Sequence, residues 1–287
     1  MTDICAVILA AGEGRRLRPL TEHLPKALCP VGNVALLDRA MARVAALGIA
    51  GPADLAVNAC YLGDQVVAHV GDRAHLSVEP GDPFGTAGGV ALLKDWIGGR
   101  GVLVGNADAY LAAGEIPETS GRGEGGADGP AADIAELLEG WDGSTVRMLG
   151  VPGPPKEFGR HRFAGFSLLP WDLVERLEAV PSDLVRTTWR PAEREGRLEV
   201  VEYRGTYLDT GTPRDYVTAN LHAVHHETLI GEGAVVTGSV EQAVIGAGAV
   251  VAGQVVRGVV WPGGEVRAGE TLRDAVRVGR ELTVAAD

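Results

Sequence analysis

Cysteine is scarce in this 287-residue chain: Cys5, Cys29 and Cys60 are the only three. An odd count without metal-ligand spacing excludes a disulfide framework and a zinc knuckle, and it reads as the reduced thiols of a cytoplasmic protein. Long apolar runs are missing, so no bilayer-spanning segment is expected. No basic region precedes the short apolar run at the N-terminus, and a signal peptide is not expected either. Positive charge is also short: 26 Lys and Arg face 38 Asp and Glu, for a net charge of −12. That excludes the basic stripe of a nucleic-acid surface. Hydrophobic residues make up 46% of the chain, enough for a sizeable core in one large domain or a main domain with a small appendage.

Four of the cations gather in one place. The apolar run Ile4-Cys5-Ala6-Val7-Ile8-Leu9 predicts a buried strand. After it come Ala10-Ala11-Gly12-Glu13-Gly14-Arg15-Arg16-Leu17-Arg18-Pro19-Leu20-Thr21 and then Pro25-Lys26. The loop after such a strand is where open parallel sheets bind ligands. Gly12 and Gly14 remove two side chains, which lets backbone N–H groups approach a phosphate. Arg15, Arg16, Arg18 and Lys26 add four cations. The order G-x-x-x-x-G-K-[ST] of a P-loop is absent, and Leu17 stands where a dinucleotide fingerprint needs its third glycine.

This stretch resembles the signature of the sugar-1-phosphate nucleotidylyltransferases, G-x-G-x-R-(L/M)-x-P-(L/I)-T followed by P-K. Its continuation Pro25-Lys26-Ala27-Leu28-Cys29-Pro30-Val31 is most similar to the mannose-1-phosphate guanylyltransferases. The resemblance implies a Rossmann-like, mostly parallel α/β sheet sandwiched by helices. It implies transfer of a nucleoside monophosphate from an NTP to a sugar 1-phosphate, with Mg²⁺ as cofactor; GTP and mannose 1-phosphate are the favoured pair, and UTP or dTTP with another sugar or cyclitol phosphate is the alternative. Arg15 and Lys26 are the expected phosphate contacts, and Leu9, Ala11, Gly12, Glu13 and Gly14 the expected nucleotide contacts.

Further along, strands alternate with helical segments, as parallel βαβ units require. Gly85-Thr86-Ala87-Gly88-Gly89 predicts a helix start, whose free N–H groups favour an acceptor. After the acidic Glu79 it resembles the family's G-T-A-G segment beside the base. A carboxylate accepts both N1–H and the 2-amino group of guanine, whereas uracil and thymine set carbonyls beside their single N–H. If Glu79 faces the base, guanine is preferred; the alternative is a solvated loop glutamate. Asn106-Ala107-Asp108, past the strand 101–106, resembles the family's N-G-D element. Tyr207-Leu208-Asp209-Thr210-Gly211-Thr212-Pro213 resembles W-x-D-x-G-T-P. The resemblance makes Asp108 and Asp209 the metal ligands, with Asp108 also against the nucleotide.

From Val151 the chain departs from the family. No Glu-Lys-Pro is present to supply the lysine that holds the sugar-linked phosphate, and there is little room for the hairpin that carries it. Asn106, Arg160, Arg162 and Gly165 are the candidates for the sugar phosphate, with His161 as a further cation; the alternative is an exposed basic loop. Residues 112–132, rich in glycine, read as a flexible insertion. His222, His225 and His226 lack an H-E-x-x-H glutamate and read as surface or packing residues. Glycines and Ala/Glu-Val pairs recur at near-constant spacing after residue 228, as in stacked β-helix coils. The tail resembles the family's left-handed β-helix, giving domains at 1–227 and 228–287. A homo-oligomer, a dimer or larger, is expected; Val244, Val259 and Val260 are candidates for its joining surface, and the favoured alternative for each is the core of the β-helix. Two other classes compete: a nucleotide-sugar sensor of weak activity, and a β-helix acyltransferase, for which the tail is short and its coils lack histidine.

Overall fold

The computed structural model describes residues 3–112 and 132–286. The predicted glycine-rich insertion therefore falls almost wholly outside the described residues. The chain forms two compact units, one of Met1–Gly12 with Arg39–Tyr207 and one of Glu13–Asp38 with Leu208–Asp287. The repeat begins near residue 228, yet the second unit also takes in Glu13–Asp38, because a repeat marks where coils start and not which loop packs on them.

The first unit is built on seven strands: β1 (Ile4–Leu9), β2 (Leu55–Ala59), β3 (His75–Val78), β4 (Gly101–Asn106), β5 (Val146–Pro152), β6 (His161–Leu169) and β7 (Leu198–Glu202). Their order across the sheet is β7-β5-β6-β4-β1-β2-β3. β1 runs parallel to β2 and β4, β2 to β3, and β5 to β7, while β6 is antiparallel to both neighbours. The expected mixed, mostly parallel sheet is thus present. Cys5 to Ile8, Ala56, Val57, Val102 and Leu103 are buried. Such runs are fully apolar because a parallel strand is covered on both faces.

One expectation is corrected here. β5 and β6 do meet as an antiparallel pair, from Arg147 opposite Leu168 to Pro152 opposite His161, and a bridge from Phe158 to His161 closes the connection. The Pro- and Gly-rich segment 152–159 makes a tight return, so a hairpin fits where little room was expected.

The second unit holds the repeat. Successive coils pair in parallel: Leu229–Ile230 with Val244–Ile245 and then Val259–Val260, Val235–Val236 with Val250–Val251 and then Glu265–Val266, and Ser239–Glu241 with Gln254–Val256 and then Thr271–Arg273. These three stacks form the expected β-helix, with Ile245, Val251, Val255, Val260 and Val266 inside. Glycine recurs at the corners because the next coil passes too close for a side chain: a Cβ on Gly238 would strike the Gly253 carbonyl. Val244, Val259 and Val260 are buried within the unit, which removes them as a joining surface. Val235 and Val250, neighbours in one stack, are exposed instead. The helix Pro213–Ala223 stops short of His225 and His226. His225 and His226 follow with left-handed φ of 52° and 59°, and the His226 N–H caps the Leu221 carbonyl at 2.8 Å. Among the described residues no three His, Cys, Asp or Glu side chains group as metal ligands.

Burial pushes the Cys5 and Cys29 thiols up to about 12 from an ordinary 9.0. The unfolded thiols lose their protons above pH 9 while the folded ones keep theirs, so these groups favour folding below pH 9 and progressively less toward pH 12. Two outcomes are expected. An aromatic disulfide reagent titrates only Cys60 in the native protein and all three thiols in denaturant. Urea midpoints fall between pH 9 and 10.5, and less steeply in a Cys5→Ala/Cys29→Ala variant.

Candidate active site

In the first unit, the carboxyl ends of β1, β2 and β3 are tied by one buried chain of hydrogen bonds. Ala10 N donates to Asn58 Oδ1 at 2.6 Å, and Asn58 Nδ2 donates to Glu79 Oε1 at 2.6 Å. The other Glu79 oxygen accepts from Phe84 N at 2.6 Å. Glu79 is only 4% exposed. Gly89 makes room for this chain, since a Cβ there would come within 2.6 Å of Asn58 Nδ2. Both Glu79 oxygens thus serve the fold, and the premise that this carboxylate reads guanine is corrected. A buried carboxylate is stable only when protein donors satisfy it, and these two do.

The start of the helix Gly85–Ala91 is engaged too. Ala87 N donates to Ser182 O at 3.2 Å, and Thr86 Oγ1 accepts from Leu184 N at 2.9 Å. Gly85 has φ of +73° and leaves no room for a Cβ against the Ser182 carbonyl. These groups hold the 182–184 segment rather than standing open as the sequence predicted.

The loop after β1 is different. Ala11 O accepts from Tyr61 N at 3.3 Å. A Cβ built on Gly12 would meet nothing within 4 Å, so no packing inside the protein demands glycine there. Open space beside an unshielded backbone is what a ligand uses. Asn106 ends β4 opposite Leu9, and Ala107 N donates to Leu9 O at 3.0 Å, carrying the ladder one residue further. Asp108 is the next residue, half-buried past the carboxyl end of a central strand, where open α/β sheets take ligands.

The sugar-side candidates separate cleanly. Glu202 Oε2 lies 2.8 Å from Arg160 Nη2 and 2.9 Å from His161 Nε2. Those contacts, that from His161 first, hold the Glu202 carboxyl below its usual range. Arg162 instead lies over the ring of Tyr207, its Cζ 5.1 Å from the centroid, and makes no salt bridge among the described residues. Gly165 has φ of +88° and lies hard against Ala109, so its role is packing.

In the second unit, Gly14 has φ of +61°, and a Cβ there would come within 2.9 Å of both Lys26 Cβ and Thr21 Cγ2. Backbone shape and close approach alone explain this glycine. It lets the loop fold down on Lys26, which is buried. Lys26 Nζ lies 3.6 Å from Asp209 Oδ1, and Arg16 Nη2 lies 3.2 Å from Asp209 Oδ2. Gly211 permits the second contact: a Cβ there would come within 2.7 Å of the Arg16 guanidinium. Arg15 faces elsewhere and is 75% exposed, with two 2.7 Å bonds to Glu13. Arg18 reaches the same carboxylate at 3.2 Å. Hydrogen bonds from Arg15 hold the Glu13 carboxyl below its usual range. Sequence reasoning gave the phosphate role to Arg15; the residue brought to Asp209 is Arg16. The signal was in the spacing, because counting G-x-G-x-R from Gly12 ends on Arg16.

A strand-end aspartate and an open glycine loop in one unit, with a buried lysine, an arginine and an aspartate together in the other, are parts suited to polyphosphate. The comparisons agree. Residues 5–118 match the nucleotidyl transferase family. The N-acetylmuramate alpha-1-phosphate uridylyltransferase of Neisseria meningitidis is 29% identical over 228 residues, 72% of this chain and 93% of that protein. The mannose-1-phosphate guanyltransferase of Emericella nidulans is 27% identical over 244 residues, 74% of this chain and 62% of that protein's length. A Bacillus anthracis structure, provisionally assigned as a glucose-1-phosphate thymidylyltransferase, shares the fold at a TM-score of 0.58 and 20% identity, over 77% of this chain and 95% of that one. Over residues 5–118 the chain is thus similar to nucleotidyl transferases. The relatives it resembles are sugar-1-phosphate nucleotidylyltransferases, whose signature the stretch from Gly12 to Lys26 resembles.

Proposed function

We propose that this protein joins an NTP to a sugar 1-phosphate, giving an NDP-sugar and pyrophosphate. The observation that carries the reading is the set of Lys26 and Arg16 on the two oxygens of Asp209, held by the segments that bear the family signature. An oxygen of the sugar phosphate attacks the α-phosphorus in line. The new O–P bond forms as the bond from the α-phosphorus to the bridging oxygen breaks, and pyrophosphate leaves with that electron pair. The sugar phosphate is already ionised, so no protein base or nucleophile is required, and positioning and electrostatics do the catalytic work.

Lys26 and Arg16 bind phosphate oxygens, which draws both cations off Asp209 and opens its carboxylate. Leu9, Ala11 and Gly12 offer backbone to the nucleotide. Asp108 and the half-exposed Asp209 present the hard carboxylate oxygens that Mg²⁺ prefers, usually one or two together with substrate phosphates. When bound there, the ion neutralises developing charge on the phosphates. Arg162, kept extended by Tyr207, takes the place of the missing Glu-Lys-Pro lysine on the sugar-linked phosphate. Arg160 and His161 are already engaged by Glu202 and serve the hairpin.

GTP with mannose 1-phosphate is one substrate pair this reading admits, supported by the Lys26–Val31 segment and the fungal relatives. UTP with an N-acetylated acidic sugar phosphate is the second, favoured by the uridylyltransferase that aligns over 93% of its length and by the burial of Glu79. No helix among the described residues is long and apolar enough to cross a membrane, and a cytoplasmic site of action fits the reduced thiols. A homo-oligomer belongs to the same reading, with Val235 and Val250 as the outward pair.

The test is pyrophosphate release over four NTPs and a panel of hexose, N-acetylhexosamine and N-acetylmuramate 1-phosphates, with Mg²⁺. One pair turns over, and Arg162→Gln raises KM for its sugar phosphate about tenfold without changing KM for the NTP. Nucleotide-sugar binding without any pyrophosphate release would favour the sensor instead.

A further inference from the structure

Tyr216 is fully buried on the helix Pro213–Ala223, which starts four residues after Asp209. Its hydroxyl donates to the Pro30 carbonyl and accepts from Trp261 Nε1 at 3.0 Å. Trp261 belongs to the β-helix, directly after the coil strand Val259–Val260. Pro30 ends the segment that Lys26 begins. Leu28 N bonds Pro25 O at 2.8 Å and Cys29 N bonds Lys26 O at 3.0 Å, so Lys26–Leu28 is one tight 3-10 turn.

Two more bonds repeat the pattern. Asn220, one turn along the same helix, accepts from Gly32 N at 3.0 Å. Asn33 Nδ2 donates to Ile245 O of a coil at 2.9 Å. The start of the helix is itself fixed, as Thr212 Oγ1 donates to Asp215 Oδ2 at 2.7 Å and accepts from Asp215 N at 3.2 Å. The helix that follows Asp209 and the coils therefore both grip the Lys26 segment.

We infer that the β-helix is the anchor of the substrate lysine: Trp261, Tyr216 and Pro30 form a relay that holds Lys26 beside Asp209, with Tyr216 and Trp261 as positioning residues. The physical need is clear. A lysine on a four-carbon stem is flexible, and misplacing a binding group by 1 Å can cost about a hundredfold in rate. Burial keeps the Tyr216 phenol a donor by pushing its pKa well above the usual value. Removing the hydroxyl leaves the Pro30 carbonyl and the Trp261 N–H unsatisfied together. The inference deepens the proposed function, since it assigns the tail a part in the same site.

The chain has three lysines, Lys26, Lys94 and Lys156, and acetylation by an N-hydroxysuccinimide ester can be followed at each by mass spectrometry. Lys156 is exposed, and Lys94 reports on the first unit through its bond to Leu177 O at 2.7 Å. In Tyr216→Phe and in Trp261→Phe, Lys26 should be acetylated about tenfold faster than in wild type, with Lys94 and Lys156 unchanged and no further gain in the double variant. Should either variant fold poorly, Lys94 speeds up along with Lys26 while the exposed Lys156 serves as the constant reference, and Asn33→Gly decides. Glycine tolerates the φ of 61° at that position, and the variant loses only the bond to Ile245. Lys26 labelling that stays at the wild-type rate in the folded variants overturns the inference.

The same variants should lose about ten- to a hundredfold in kcat at temperatures well below their melting points. Arg257→Gln, which breaks an exposed ion pair on the same β-helix, should not. Lower melting temperature with unchanged kcat would show a merely structural role and overturn the relay. Wild-type protein that releases no pyrophosphate would defeat the functional reading alone, because the acetylation rates need no activity.

Discussion

Asp108→Asn is expected to lower turnover by at least about a hundredfold while the protein keeps its fold. Asp108 stands one residue past the last ladder bond of β4, from Ala107 N to Leu9 O. The strand is held by its backbone pairing with β1 and by the buried Val102, Leu103 and Val104, none of which needs the charge. Asparagine keeps the shape and one oxygen but removes the negative charge that a divalent ion requires. The loss should therefore appear in kcat, with the thermal midpoint within about 3 °C of wild type. Asp209→Asn is expected to match it in turnover, and to release Lys26 and Arg16 from their shared partner as well. Near-normal turnover in Asp108→Asn would remove that aspartate from the reaction.

The second expectation separates two adjacent arginines. Arg16→Ala should cost about a hundred- to a thousandfold in kcat/KM, and Arg15→Ala no more than about threefold. Arg16 is the cation brought to Asp209 at 3.2 Å across a turn that Gly211 keeps clear. Arg15, itself 75% exposed, points to the Glu13 carboxylate, and an ion pair of so solvated a guanidinium is a contact of small worth. Steady-state kinetics on both variants checks this. A reversed order, with Arg15 the costly one, would mean that Glu13 yields its partner to the substrate and that the geometry around Asp209 is incidental.

Much of the fold was legible because it is written in local patterns. The apolar run at Ile4–Leu9 and the strand at 101–106 read as strands of a parallel sheet, and the glycine spacing after residue 228 reads as coils. The motif positions of Lys26 and Asp209 were legible through the family signature, whereas their meeting at 3.6 Å is known only from the structure. What sequence could not give was the use to which polar groups are put. Glu79 has the chemistry to read guanine, but Asn58 and Phe84 N take both of its oxygens, and only tertiary structure brings those donors together. Thr86 and Gly85 carry a recognisable motif, yet the distant Ser182–Leu184 segment claims them. Glu13–Asp38 clusters with the tail through Tyr216, Asn220 and Asn33, contacts between residues nearly two hundred or more apart that no local pattern encodes. Arg15 and Arg16 were both legible as cations of the loop, but the two neighbours look alike until the spacing is counted.

The account stands on Asp108 and Asp209 serving one divalent ion together with nucleotide. Titration with Mn²⁺ as a paramagnetic stand-in, in the presence of a non-hydrolysable NTP analogue, tests that claim most directly. Wild type should bind one tight ion per chain, and Asp108→Asn and Asp209→Asn should each weaken it strongly and to a similar degree. Two variants that bind Mn²⁺ and nucleotide as wild type does would contradict it.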